Sequence, residues 1–502
     1  MIVPLLPPQR GCEIIHCAHA FSAKVLQPHD CAIVVVNAVA AQVLLARLPH
    51  ASLWSRLHQR SASRPASCMS ARVPNDSHTL MTIGLLQPAA TAFQRLTLGG
   101  KLWKQIAAAN PRTLVLAALG FEAQATRDIL KDLLAAALAG DAPMPSFKSD
   151  LPRHAGLKSI TVCNAGIDLD AIQAIDAGNH LARWWSTLPP NLLTTPVYRK
   201  AITTLARRHR WSNQFLSQKA LRRLGAGAFL AVSRANTHRD AGILRLTYIP
   251  RKRAQAHVAL VGKGISFDTG GINLKTHKGM YHMHGDMQGS AVAVGTLLAL
   301  SNLQAPVRVD CWLALTENEI GPRAYRPQEV VTAVNGVTIQ VAHSDAEGRM
   351  VLADTLALAA REKPGLIIDF ATLTGACVTA LMERYSAVFT NRPRLRALLE
   401  RAGEASGERV WGFPMDDDYD HELESKVADV LQCTPDSKGD HILAARFLNR
   451  FVPADTAWVH VDLAAAQRSG GLAHIPTDFT GFGVRYATQL LLNHELYRNL
   501  GA

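Results

Sequence analysis

No C-x-x-C pair occurs among the eight cysteines of this chain (Cys12, Cys17, Cys31, Cys68, Cys163, Cys311, Cys377 and Cys433), so their spacing marks no zinc knuckle. In a chain of 502 residues they read as small buried hydrophobes of a reducing compartment. The apolar opening Met1-Ile-Val-Pro-Leu-Leu has no basic segment before it, which argues against a signal peptide. The longest apolar run, Cys31 to Ala46, is interrupted by Asn37 and Gln42 and is too short to span a bilayer. Lys and Arg nowhere form a run of five. The formal charge of +13 and pI near 9.5 allow a nucleic-acid or anionic partner, but a solvated basic surface is the plainer reading and nucleic acid is not favoured. No internal repeat and no long low-complexity tract is present. The expectation is a soluble, cytoplasmic protein without a membrane role.

The chain is too long for one ordinary core, so two or more domains are expected. A hydrophobic content of 48% with 19% charged residues belongs to a folded protein. Residues 1–150 carry α/β signals without obvious chemistry. Ala32–Val36 and Thr113–Ala117 suit buried strands, Phe121–Leu138 an amphipathic helix, and residues 59–77 a surface loop. Residues 151–190 are read as a connector, a helix from about Asp168 to Ser186 that Pro189-Pro190 must end. Residues 191–502 then alternate: strands at His257–Gly262, Val307–Leu315, Leu366–Phe370 and Trp458–Asp462, helices at Asp286–Leu303 and Glu347–Arg361. The expected fold is α/β, with a smaller N-terminal α/β domain and a larger C-terminal domain whose mostly parallel sheet is flanked by helices.

The chemistry concentrates in that second part. Lys263 and Asp268 follow the strand 257–262 in a glycine-rich stretch, where Gly264, Gly270 and Gly271 allow sharp turns and a close approach to a ligand. Lys275 lies in the same long loop, and Asp286 opens the next helix. Asp345 and Glu347 are one residue apart; in an extended segment both carboxylates face one side. Each acid alone has a plain explanation, since Asp286 could cap a helix and Glu347 could answer a helix dipole. Together they form an oxygen-rich set without His or Cys that can hold two divalent ions. Zinc accepts such ligands, and manganese or magnesium prefers them. A lysine could join only as the neutral amine, which nearby dications would favour.

Four segments carry a resemblance: Val261-Gly-Lys-Gly-Ile-Ser-Phe-Asp-Thr-Gly-Gly271, Asp286-Met-Gln-Gly-Ser-Ala291, Arg326-Pro327 and Ser344-Asp-Ala-Glu-Gly-Arg-Met-Val-Leu-Ala-Asp354. With Ala371-Thr-Leu-Thr-Gly-Ala376 and Gly403-Glu-Ala-Ser-Gly-Glu-Arg-Val-Trp411, the chain resembles the leucyl (cytosol) aminopeptidase family of dinuclear metallopeptidases over roughly residues 185–465. The resemblance implies that Lys263, Asp268, Asp286 and Glu347 bind one metal ion, and Asp268, Asp345 and Glu347 the other. It implies that Lys275 polarises the scissile carbonyl and that Arg349 holds a bicarbonate acting as general base. It places Met283, Thr372 and Gly375 around an apolar first side chain such as leucine. The implied reaction is release of N-terminal residues from peptides by hydroxide attack, and the implied assembly is a homo-hexamer. A DNA-binding or regulatory protein on the same scaffold is the alternative. The chain departs from the family's pattern at His343-Ser344, Gln288 and the tail Gly470–Gly483. His282 and His284 are expected beside the site without ligating a metal.

Overall fold

Two sheets organise the chain. The computed structural model describes residues 3–60, 68–150, 155–163, 166–238, 240–436 and 438–498. The first sheet has six strands in the spatial order Glu13–Cys17, Ser159–Cys163, Thr113–Leu119, Cys31–Asn37, Leu80–Leu86 and Cys68–Arg72. All neighbours are parallel except the last pair. The interior strands are continuous aliphatic runs, as burial on both faces requires. Helices Ala92–Ala107 and Ala123–Asp141 bury Leu102, Ile106, Leu130 and Leu134 against one face, while Trp54 closes the other.

The second sheet has eight strands, ordered Val410–Gly412, Ser386–Thr390, Ala457–Asp462, Leu366–Ala371, His257–Asp268, Arg308–Asn318, Gly242–Tyr248 and Ser212–Ser217. Its four central strands run parallel, and antiparallel pairs flank them. Helix Gln288–Asn302 covers one face and helix Glu347–Ala360 the other, both almost wholly buried. Gly289 lets the first of these lie directly on the sheet, because a Cβ there would stand 2.1 Å from the carbonyl oxygen of Phe370. The architecture is thus the expected mixed α/β one, with a smaller and a larger parallel-rich sheet.

Several local expectations change. Part of the proposed loop 59–77 lies outside the described residues, and Cys68–Arg72 is an edge strand that buries Met69 and pairs with Leu80–Leu86. The first sheet takes its strand Ser159–Cys163 from beyond residue 150, so the chain leaves that sheet only afterwards. Helix Leu169–Thr187 follows, started by the Asp168 side chain on the amide of Ala171 and ended before the double proline. It docks on helix Gln288–Asn302, and Arg485 ties the two units by an ion pair to Asp132 at 2.8 Å. No helix among the described residues is long and apolar enough to cross a membrane. Among the described residues no disulfide joins the cysteines.

Candidate metal centre

The carboxyl ends of the four central strands meet at one place. Asp268 ends one strand and Asn318 the next, where an irregularity in the pairing sets Asn318 directly opposite Asp268. Thr372 follows the strand Leu366–Ala371, and Asp462 ends Ala457–Asp462. Loops beyond strand ends were the expected location, but Lys263 and Gly264 prove to lie inside the strand, which runs unbroken from His257 to Asp268. Alternation in that strand carries Lys263 and the flanking residues to fixed faces, so the lysine is placed by the sheet and not by a loop.

Asp286 also differs from expectation. It closes a short turn, Met283–Gly285, and helix Gln288–Asn302 begins beyond it with no side-chain cap. Its carboxylate is therefore not spent on capping. Oδ1 accepts a hydrogen bond from the Thr372 hydroxyl at 2.7 Å, and Oδ2 lies 2.8 Å from Lys263 Nζ. The Asp345–Glu347 segment is not extended either: Ala346 has φ −104° and ψ 36°, and Glu347 is the first residue of the helix. The pair still converges, because the turn points Asp345 toward Lys275 and the helix start points Glu347 toward Lys263.

The resulting cluster is tight. Ligand oxygens of Asp268, Asp286 and Glu347 all lie within 4.8 Å of one another, and all three residues are buried. Lys263 Nζ stands 2.8 Å from Asp286 and 2.9 Å from Glu347, and donates to the carbonyl of Thr372 at 2.9 Å. Lys275 Nζ stands 2.9 Å from Asp268 and 2.6 Å from Asp345. Four carboxylates thus face two ammonium groups, an excess of negative charge in a water-poor place. Burial and the neighbouring carboxylates push Asp286 up to about 7 and Asp345 up to about 6, and raise Glu347 as well. Burial alone would discharge the lysines, yet the surrounding carboxylates hold both well above their ordinary range.

These residues fit divalent ions. The donors are oxygen-rich, the charge excess is negative, and Asp286 Oδ2 and Asp345 Oδ1 are buried without a hydrogen bond, their lysine contacts notwithstanding. Among the described residues, neither His282 nor His284 joins the metal-spaced cluster. His284 packs edge-on against Phe479 instead.

A ring of supporting residues surrounds the cluster, and of these Asn318 was not legible beforehand. Asn318 Nδ2 donates to Asp268 at 2.8 Å and to the carbonyl of Ser344 at 3.1 Å, and reaches Glu347 at 3.5 Å. Ser344, a departure from the family pattern, is fully buried: its hydroxyl donates to the Gly270 carbonyl and accepts from the Asn273 amide. It stitches the lysine loop to the acid loop. Gly270 has φ +86°, a left-handed conformation that glycine adopts freely, and its amide donates to Asp268 at 2.8 Å. Gly348 has a different task, since a Cβ there would sit 2.8 Å from Lys263 Nζ.

A cavity of about 700 Å³ opens on the cluster. Met283, Thr372 and Gly375 line it beside the two lysines and four carboxylates, with Leu463, Ala464 and Ala466 adding apolar wall. Nine of the ten residues singled out in the sequence thus share one cavity. Arg468, just before the divergent tail, lines it too. The tenth, Arg349, opens instead onto an adjoining cavity that shares Lys275 and Asp345. There its guanidinium is engaged: Nη2 lies 2.8 and 2.7 Å from the two carboxylate oxygens of Asp440, and Nη1 donates to the carbonyl of Gln432 at 3.2 Å. The seat that the resemblance assigns to bicarbonate does not fit an added anion. Asp440 was not anticipated, because nothing in its local sequence marks it as Arg349's partner.

Comparison with known proteins agrees with this geometry. Residues 180–488 match the model of the cytosol aminopeptidase family, catalytic domain. Three curated relatives are named probable cytosol aminopeptidase. That of Polaromonas naphthalenivorans is 41% identical over 62% of this chain and 61% of its own length. That of Syntrophotalea carbinolica is 38% identical over 73% and 75%. That of a Synechococcus strain is 34% identical over 88% and 91%. Among solved structures, a mutant tomato leucine aminopeptidase superposes with a TM-score of 0.84 at 26% identity, covering 97% of this chain and 98% of the other. A bottromycin maturation enzyme in complex with Mn gives 0.78 at 30% identity, covering 93% and 99%.

Proposed function

Because the chain belongs to the cytosol aminopeptidase family, and is thereby a metal-dependent peptidase, we propose that it releases leucine and other apolar residues from the N-termini of peptides at a pair of divalent ions. The observation that carries this reading is the buried triad Asp268, Asp286 and Glu347, within 4.8 Å of one another and flanked by Lys263, Lys275 and Asp345. Lys263, Asp268, Asp286 and Glu347 would hold one ion, and Asp268, Asp345 and Glu347 the other. Zinc or manganese suits the oxygen-rich set, with magnesium a further candidate. Bound ions supply a nucleophilic water at neutral pH and Lewis acidity toward a carbonyl.

The chain's own groups do the rest. Asp286 is fixed by Thr372 and Asp268 by Asn318 and Gly270, so the ligands are oriented before anything binds. Lys275, only 15% exposed, presents an ammonium beside Asp268 and Asp345 and would stabilise the oxyanion that develops on the substrate carbonyl. Met283, Thr372 and Gly375, next to Leu463 and Ala464, offer an apolar recess for the first side chain. A free α-amine could coordinate an ion held by these carboxylates, which would select cleavage one residue from the N-terminus. A cytoplasmic hexamer acting through residues 191–502, with the N-terminal unit in assembly or regulation, accompanies this reading; sedimentation of the full chain tests the hexamer.

The reading is tested with manganese-loaded protein and two substrates, a leucyl peptide with a free amine and the same peptide N-acetylated. Cleavage only of the free-amine peptide, with leucine released, is expected. Equal cleavage of both, or internal cleavage, contradicts it.

A further inference from the structure

Arg349 and Asp440 stand where two helices start. Arg349 lies in the first turn of Glu347–Ala360, and Asp440 is the first residue of Asp440–Asn449. The arginine is 2% exposed, and the carboxylate is 18% exposed at the edge of a cavity that also contains Lys275, Asp345 and Gly375. That cavity adjoins the metal cluster through those same three residues. The carboxylate is therefore part of the site's surroundings and not a remote surface pair.

The geometry of the pair decides what else can bind. A guanidinium offers two paired edges to an oxyanion, Nε with Nη2 and Nη1 with Nη2, and Nη2 belongs to both. Both oxygens of Asp440 lie on Nη2, and Nη1 is drawn to Gln432. Nε is buried without a partner and offers a single donor. Asp440 is also favoured where it is, because its charge sits at the positive end of its own helix. The surrounding backbone is fixed: the Gln432 side chain accepts from the amides of Ala342 and His343 and donates to the carbonyl of Ala346. A dissolved anion would have to displace a carboxylate held in place by the chain, which acts at a far higher effective concentration than a dilute solute.

We infer that Asp440 is a built-in anion which fills the arginine seat, so that this enzyme takes no bicarbonate at Arg349. The inference rests on the peptidase reading for its consequence, but not for its measurement. Asp440 is a positioning residue: it neutralises Arg349 and keeps a carboxylate in the cavity that Lys275 also lines, without a co-substrate. Removing it should open the seat.

The test uses the full chain, loaded with zinc, in carbon-dioxide-free buffer, titrated calorimetrically with bicarbonate. The wild type should show no Arg349-dependent site, whereas Asp440→Ala should gain a saturable one that the double variant with Arg349→Met lacks. Asp440→Gly, which likewise vacates the seat, should behave as Asp440→Ala and covers the case in which the alanine variant misfolds. In turnover, the wild-type rate should be indifferent to bicarbonate, and Asp440→Ala should fall by about a hundredfold and recover when bicarbonate is added. Bicarbonate binding that is equal in wild type and both variants, or a wild-type rate that rises about tenfold with bicarbonate, overturns the inference. Binding that differs as expected in a protein with no peptidase activity would sink the peptidase reading and leave this one standing.

Discussion

At the carboxyl ends of parallel strands in the first sheet stand Asn37, Leu86, Leu119 and Cys163; in the second sheet they are Asp268, Asn318, Ala371 and Asp462. Both sheets are parallel-rich, helix-covered and built on aliphatic strands. Their polar ends are used differently. Asn37 spends its amide on closing the strand ends, accepting from the Val39 amide and donating to the Gly120 carbonyl beyond the neighbouring strand at 2.7 Å. Asn318 instead bonds Asp268, Asp462 holds the loop after Ala371 through Thr374, and the second sheet buries Lys263 and Glu347 beside Asp268. The same architecture therefore either closes a strand end or opens a reaction site, and a few residues decide which.

Glu347→Ala removes a carboxylate common to both proposed ion positions. It should lose metal and activity together, by about a thousandfold or more in rate. An active, fully metallated variant would remove Glu347 from its role. A smaller effect is expected at Gly348→Ala, where the new Cβ would sit 2.8 Å from Lys263 Nζ. Displacing that amine should cost about a hundredfold in rate with little change in thermal midpoint. Asn318→Ala leaves every ligand in place but frees Asp268; metal affinity or rate should drop by about ten- to a hundredfold. An unchanged metal titration would show that Asn318 does not orient the ligand.

Away from the site, stability and chemistry should separate. Asp310 lies near the opposite end of the sheet, fully buried, among His257, Thr247, Arg245 and Arg308. Burial alone would raise its carboxyl, but the hydrogen bonds from His257, Thr247 and Arg245 outweigh this and hold it well below the usual carboxylate range. Its contribution is present above the unfolded carboxylate range and is lost as pH falls through the depressed folded value. Asp310→Asn should therefore lower stability at neutral pH by about 3 kcal/mol, and the gap from wild type should close in acid. A gap that widens in acid has the wrong sign for this account. The smallest effect belongs to the first sheet. Ile33→Val in its core should cost about 1 kcal/mol and leave the rate per bound metal unchanged.

Much of this was legible in the sequence, for identifiable reasons. Long aliphatic runs such as Cys31–Asn37 and Leu366–Ala371 announce buried strands, and the Lys263–Asp268 and Asp345–Arg349 segments announce chemistry because acids and lysines rarely gather among glycines. Short edge strands did not show: Cys68–Arg72 has only Met69 buried and too little apolar contrast. For Asp286 a helix cap was the plain alternative to a metal ligand, because it precedes a helical run, and only the turn at Met283–Gly285 shows that it does not cap. Thr372 was named as a pocket residue, but its bond to Asp286, like the contacts of Asn318, Gln432 and Asp440, acts across tens of residues through strand pairing and helix placement that no local pattern encodes.

The most direct test is hydrolysis of leucine p-nitroanilide by protein stripped of metal, and again after zinc, manganese or magnesium is restored, with bound metal counted. The account predicts no turnover without metal, and turnover that rises with loading toward two ions per chain. Full activity in the stripped protein, or none with any of the three metals in a folded sample, would contradict it.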